Sequence, residues 1–151
     1  MLLLIVLGST IVAAQDRPAW LKPWGTPEKP LNCEENNLHL DLLANLTTVE
    51  GPRDGVLIVV ARLGDGERSQ QLNVRRLHNV RVGLMDNRRI DPQRVMLTSG
   101  EPVGGFGRVE FYLGGKLMGV LRIERGKDIC VACCDIDERY YPYREKKKRR
   151  R

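Results

Sequence analysis

Arg76 is the residue of this chain whose position leaves a chemical role open. It lies four residues from both Leu72 and Val80, at the flank of an apolar helical stripe, and follows a polar loop, Arg62-Leu63-Gly64-Asp65-Gly66-Glu67. An arginine at that position either snorkels along the core edge or points into a site beside the loop. The second candidate for chemistry is the cysteine set. Cys33 stands alone, while Cys130, Cys133 and Cys134 cluster. Three readings compete for them: two disulfides, with three possible pairings; a structural zinc site, which usually wants two separated pairs; and a redox C-x-x-C in Cys130-Val131-Ala132-Cys133. A bridge between the adjacent Cys133 and Cys134 would be strained. The disulfide pattern expected is Cys33 tied to one of the three, with the other two paired, for example Cys130 with Cys133 or Cys134. The two histidines, His39 and His78, stand in no nucleophile or metal-ligand context, and neither a nucleophile elbow nor a phosphate loop occurs. The expectation is a protein that is not an enzyme, takes no cofactor and holds no metal, with a thiol oxidoreductase as the one enzyme class kept open.

These residues sit in a chain of 151 residues, room for one domain with flanking segments. Residues 1–14 read as a secretory signal: an apolar run, Met1 to Leu7, then the small residues of Val12-Ala13-Ala14. The run is shorter than the roughly 20 residues of a spanning helix, so no transmembrane segment is expected in the mature chain. Residues 15–32 read as a linker, because Pro18, Pro23, Pro27 and Pro30 break helices and deny sheet donors. Trp20 and Trp24 in it either dock on the domain or ride on an extended arm. The domain is expected over 33–134, and a basic tail over 135–151. The formal charge of +6 resides in Lys146, Lys147, Lys148, Arg149, Arg150 and Arg151. A block of like charge repels itself and stays extended, and it can attach to an anionic surface without recognising a particular nucleic acid.

The elements that would position Arg76 follow from periodicity. Asn36-Asn37 offers a cap for a first helix, whose apolar face is read as Leu38, Leu42, Leu46 and Val49. Val56 to Val60 is a strand covered on both faces. A second helix, capped by Asp65 or Ser69, turns Val74, Leu77, Val80 and Leu84 inward and ends at Asp86-Asn87, with Asn87 in the left-handed cap conformation. Arg94 to Thr98 is a short strand. The Gly-rich stretch Ser99 to Gly107 is a tight loop rather than a phosphate cradle, since no helix follows it. Arg108 to Leu113 alternates, with Val109, Phe111 and Leu113 on one side. Gly114-Gly115 is a hairpin turn, and Leu117 to Ile123 is the returning strand. This is an α+β layer of two helices on one sheet of about four or five strands.

The segment Gly64 to Leu84 resembles the outer-membrane-protein-A-like (OmpA-like) peptidoglycan-binding domain. Gly64 falls on that family's turn glycine, Leu72 on its leucine, Asn73 on its serine and Arg76 on its ligand-binding arginine. Val80 and Leu84 match its apolar positions, Pro92 and Val95 its link, Gly100-Glu101 its G-E turn and Arg108-Val109-Glu110-Phe111 its closing strand. The resemblance covers about half the chain and implies a β-α-β-α-β-β two-layer sandwich on a mixed sheet, here with an added C-terminal hairpin strand. It also implies an exported location, periplasm or cell envelope, and a peptidoglycan partner. In the family an aspartate and the helix arginine together hold the diaminopimelate end of the wall peptide. The aspartate position here is Ala61, and Leu77 replaces a small alanine. A zwitterionic ligand needs an acid for its ammonium as well as Arg76 for its carboxylate, so Asp65 or Glu67, a few residues beyond Ala61, is expected to substitute, with Glu101 as a rim contact and Asn73, on the family's serine position, among the ligand-binding residues. Two functions are therefore expected to compete. One is peptidoglycan binding through Arg76. The other is a structural or adaptor domain without it, with Arg76 ion-paired to Glu67 or Glu110 and the Lys/Arg tail gripping an anionic surface or a protein partner.

Overall fold

Asn32 begins the first helix, α1 (Cys33–Asn45). Its side chain accepts a hydrogen bond from the Glu35 amide at 2.9 Å, and the Glu35 carboxylate accepts from the Asn32 amide at 3.1 Å, a reciprocal capping box. The cap is thus Asn32 rather than Asn36-Asn37. The buried face differs as well. Leu40, Leu43 and Ala44 are inside, whereas Leu38 and Leu42 are 57% and 41% exposed. The run Leu38 to Leu43 carries leucines on both sides of the helix, so its periodicity leaves two faces open. The rotation is set from outside it: Cys33 is bonded to Cys130, and the Asn36 amide donates to the Cys130 carbonyl at 3.0 Å. Cys33, Asn36, Leu40 and Leu43 then share the inner side.

The computed structural model describes residues 28–50, 55–131 and 139–141. The signal at 1–14, most of the linker with Trp20 and Trp24, Cys133, Cys134 and the Lys/Arg tail lie outside the described residues. Among the described residues no helix is long and apolar enough to cross a membrane.

Four strands form one mixed sheet in the order β2-β1-β3-β4. They are β1 (Leu57–Arg62), β2 (Val95–Ser99), β3 (Gly107–Leu113) and β4 (Lys116–Ile123). β1 and β2 run parallel, with Ala61 opposite Ser99. A parallel pair needs a long crossover, and α2 (Gln70–Arg81) supplies it. β3 pairs antiparallel with β1, and β4 with β3. Gly114 and Gly115 make the hairpin turn with φ of +57° and +73°, a conformation that residues with side chains rarely adopt. The element order is α-β-α-β-β-β: the leading strand of the implied sandwich has no counterpart among the described residues.

The helices cover one face of the sheet. Leu57, Val59, Ala61, Val109, Phe111, Leu121 and Ile123 meet Leu40, Leu43, Val80, Leu84, Ile129 and Tyr140 there. After α2 the chain widens into a π-type turn, Val82–Asp86. Asn87 does not take the left-handed conformation expected of it; its φ is −89°, and Arg89 carries the positive φ instead. The Asn87 side chain is held by tertiary partners: its amide donates to the Tyr140 hydroxyl at 2.6 Å and its carbonyl accepts from Arg139 at 2.8 Å.

The disulfide joins Cys33 to Cys130, which excludes the pairing of Cys130 with Cys133 or Cys134. It closes the two ends of the domain, 97 residues apart, and a bond of this kind persists in an oxidising compartment.

Candidate functional site

Arg76 lies in the middle of α2, on its inner side, and is wholly buried. Of the predicted inward stripe, Val80 and Leu84 are fully buried and Leu77 packs, half-buried, against the core, but Val74 is exposed. Leu72, Asn73, Arg76 and Asn79 are inside as well. A helix whose inner positions are mostly polar needs hydrogen bonds for them, and Asn73, Arg76 and Asn79 make theirs with the chain that precedes the helix and the chain that follows the sheet, the Asn73 side-chain oxygen alone of these groups being left without a partner.

Glu67 is the partner of Arg76. The guanidinium and carboxylate meet in a bidentate pair, Nη1 to Oε2 at 2.8 Å and Nη2 to Oε1 at 2.6 Å, with 0% and 1% of the two side chains exposed. The remaining contacts of Arg76 go to the Lys127 carbonyl, which accepts from Nε at 3.2 Å and Nη2 at 3.0 Å. Glu67 also accepts from the backbone amides of Gly64 and Gly126, each at 2.8 Å. Burial pushes the Glu67 carboxyl up, but the Arg76 hydrogen bonds, the two amides and the Arg76 charge outweigh it and hold the group at about 2. The pair thereby ties together the loop after β1, the middle of α2 and the turn after β4.

Gly107, the first residue of β3, packs directly on this pair. A Cβ there would lie 2.5 Å from Arg76 Nη1 and 2.6 Å from Glu67 Oε2. The last glycine of the Gly-rich stretch is therefore small because the ion pair occupies the space a side chain would need.

The other residues expected at the site are not brought to Arg76. Asp65 turns away and accepts from the Gly105 amide at 2.7 Å. Asn73 is buried and donates to the Ala61 carbonyl at 3.1 Å. Glu101 is exposed, and its carbonyl accepts from Arg62 Nη1 at 3.3 Å. Ala61 itself is fully buried within β1, between Ser99 and Val109. Glu110, the other acid considered for Arg76, belongs to the opposite face of the sheet. It accepts from Arg62 Nε at 2.8 Å, Arg108 Nε at 2.6 Å and the Tyr112 hydroxyl at 2.8 Å. Burial raises the Glu110 carboxyl, and these donors and cations together bring it below its usual range.

Asn79 and Arg75 were not singled out from the sequence, yet they complete the grip on the C-terminal segment. Asn79 Nδ2 donates to the carbonyls of Ile129 and Tyr141, at 2.8 and 2.6 Å. Arg75 Nε meets Asp128 at 2.7 Å. A signal for this existed: Asn73, Arg76 and Asn79 recur at every third position of α2, a polar stripe along one side of a helix that must also bury Leu72 and Val80. No protein-family model, curated protein or solved structure significantly matches this chain.

Proposed function

We propose that this chain is a non-catalytic, exported adaptor domain of the cell envelope, a divergent relative of the OmpA-like fold in which Arg76 is a structural clamp and attachment is made elsewhere. The observation that carries this reading is the Arg76–Glu67 pair. Each polar group of the pair faces protein, and neither side chain offers an edge to a wall peptide. Binding a diaminopimelate carboxylate at Arg76 would require breaking a desolvated bidentate pair, at a cost of about 3–5 kcal/mol. The attachment itself is assigned to the Lys/Arg tail, whose six cations suit an anionic lipid or polysaccharide surface. The cysteine bridge between the domain's ends supports an oxidising destination.

The test is co-sedimentation of the full chain with purified peptidoglycan and with anionic vesicles, at low and high salt, beside a chain ending at Tyr143. The adaptor reading expects attachment that disappears with the tail and with added salt. Peptidoglycan binding that survives loss of the tail, resists salt and is competed by a diaminopimelate-bearing peptide would overturn it in favour of a ligand site at Arg76.

A further inference from the structure

The face of the sheet turned away from the helices carries a row of arginines. Arg62 on β1 is paired in register with Arg108 on β3, and Arg108 with Arg122 on β4. Like charges placed directly opposite on neighbouring strands repel. Arg62 and Arg108 alone set two guanidiniums against one carboxylate, Glu110, and both approach it through Nε. Arg62 Nη1 also donates to the Glu101 carbonyl at 3.3 Å, and about a quarter of each arginine side chain, 24% and 27%, is exposed. Glu110 is itself 5% exposed, so it orients the two cations without being available to a partner. Arg62 lies over Gly100, where any Cβ would collide with its guanidinium. That lack of a side chain just past the end of β2 leaves the arginine room beside it.

The next row on this face is buried: Val60 and Val120 flank Glu110 and are 9% and 3% exposed. Beyond it Ile58 and Tyr112 are half-buried, and Met96, in register with Ile58, is 55% exposed. Rows on one face of a sheet are spaced by about 6.6–6.8 Å, the spacing at which an extended polypeptide repeats its own side chains.

We propose that this outer sheet face is a docking surface for an acidic segment of a partner protein, with Arg62 and Arg108 as its anchors. The charge selects against the other occupants at hand. A second copy of the chain would bring the same cations to the same face, and the Lys/Arg tail is also positive. A polypeptide fits better than a nucleic acid or a bilayer because the cationic row and one accessible apolar row, Met96, Ile58 and Tyr112, lie two side-chain repeats apart on the same face, so carboxylates and apolar side chains of one segment can meet both. The guanidiniums are already held in place by Glu110, which lowers the ordering cost of binding. This surface is separate from the tail, and its test separates the two.

The full oxidised chain is titrated into a short fluorescein-labelled peptide alternating Glu and Leu, and into its counterpart with Gln for Glu. The Glu peptide is expected to bind and to weaken about tenfold or more when Arg62→Gln and Arg108→Gln are combined, as truncating interfacial charges commonly does. Exchanging the six tail cations for Gln should leave that binding unchanged. Equal binding of the two peptides, a loss that follows the tail rather than Arg62 and Arg108, or tighter binding of the tail-exchanged chain to phosphatidylglycerol vesicles or a single-stranded oligonucleotide would each overturn the proposal. If the double variant fails to fold, the wild-type chain decides the matter: the arginine Nε–H resonances of Arg62 and Arg108 must shift as the Glu peptide is added, and resonances that stay in place overturn it.

Discussion

Asn79 and Tyr141 pair as two residues of adjacent strands would. The Asn79 amide donates to the Tyr141 carbonyl at 2.6 Å, and its side-chain oxygen accepts from the Tyr141 amide at 2.7 Å. Because Asn79 also holds the Ile129 carbonyl, one helical side chain fastens two stretches of the chain that follow the sheet. Asn79→Ala should cost about 2–4 kcal/mol, since several buried backbone groups lose their partner. Urea unfolding would measure the loss. Limited chymotrypsin digestion should cut sooner at Tyr140 and Tyr141 in the variant than in the wild type.

Arg76→Met should destabilise the domain by about 3–5 kcal/mol, because Glu67 is left charged and dry. Replacing both residues with apolar ones often rescues a buried pair, but here it should not do so fully. Glu67→Leu combined with Arg76→Met strands the amides of Gly64 and Gly126 and the carbonyl of Lys127, each costing about 1–3 kcal/mol. A double-mutant cycle by denaturant unfolding tests this, and a fully rescued double variant would contradict the clamp.

Acid should weaken the domain over a defined window. The Glu67 carboxyl is at about 2 when folded against an ordinary 4.5. A carboxyl depressed on folding stabilises fully above the unfolded value, and that contribution is lost as pH falls through the folded one. Between pH 4.5 and 2 about 3 kcal/mol should therefore disappear on account of Glu67, and Glu110, also depressed, adds in the same direction. Melting temperature followed from pH 6 down to pH 2 should decline most steeply below about 4.5, and Glu67→Gln should flatten that decline.

Gly107→Ala should be more harmful than an alanine at Gly104, where a Cβ meets nothing within 4 Å. At Gly107 the added carbon must displace Arg76 or Glu67, so a loss of about 1–3 kcal/mol is expected, as for overpacking in general. Comparing the thermal midpoints of the two variants isolates the ion pair from any general effect on the Gly-rich loop.

Cys33→Ala removes the link between the first turn of α1 and the chain after β4. Closing a loop of 97 residues should be worth about 4–5 kcal/mol in the chain-entropy account. The same loss is expected on reduction, and mass spectrometry of a non-reduced digest should recover the Cys33 and Cys130 peptides joined.

The local elements of this protein were largely legible in its residues. Alternation over Arg108 to Leu113, the glycine pair after it, the apolar run beginning at Val56 and the sparing of proline from 70–81 define strands, turn and helix through short-range sterics and side-chain period alone. The helix faces were not. In α1 two leucine faces compete by period, and the one that turns inward is chosen by a disulfide partner 97 residues away. In α2 the inner face is polar, so a reading that seeks apolar stripes picks Val74 and overlooks Asn79. The fate of Arg76 was likewise a tertiary matter. Its sequence position fits a ligand anchor and a core-edge arginine equally well. Only the fold, by bringing Glu67, Lys127 and Gly107 around it, removes water from the guanidinium and turns a candidate binding residue into the centre of a buried clamp. Periodicity reports how residues are arranged along one element. Which of them is desolvated, and against what, depends on contacts between elements that no local pattern encodes.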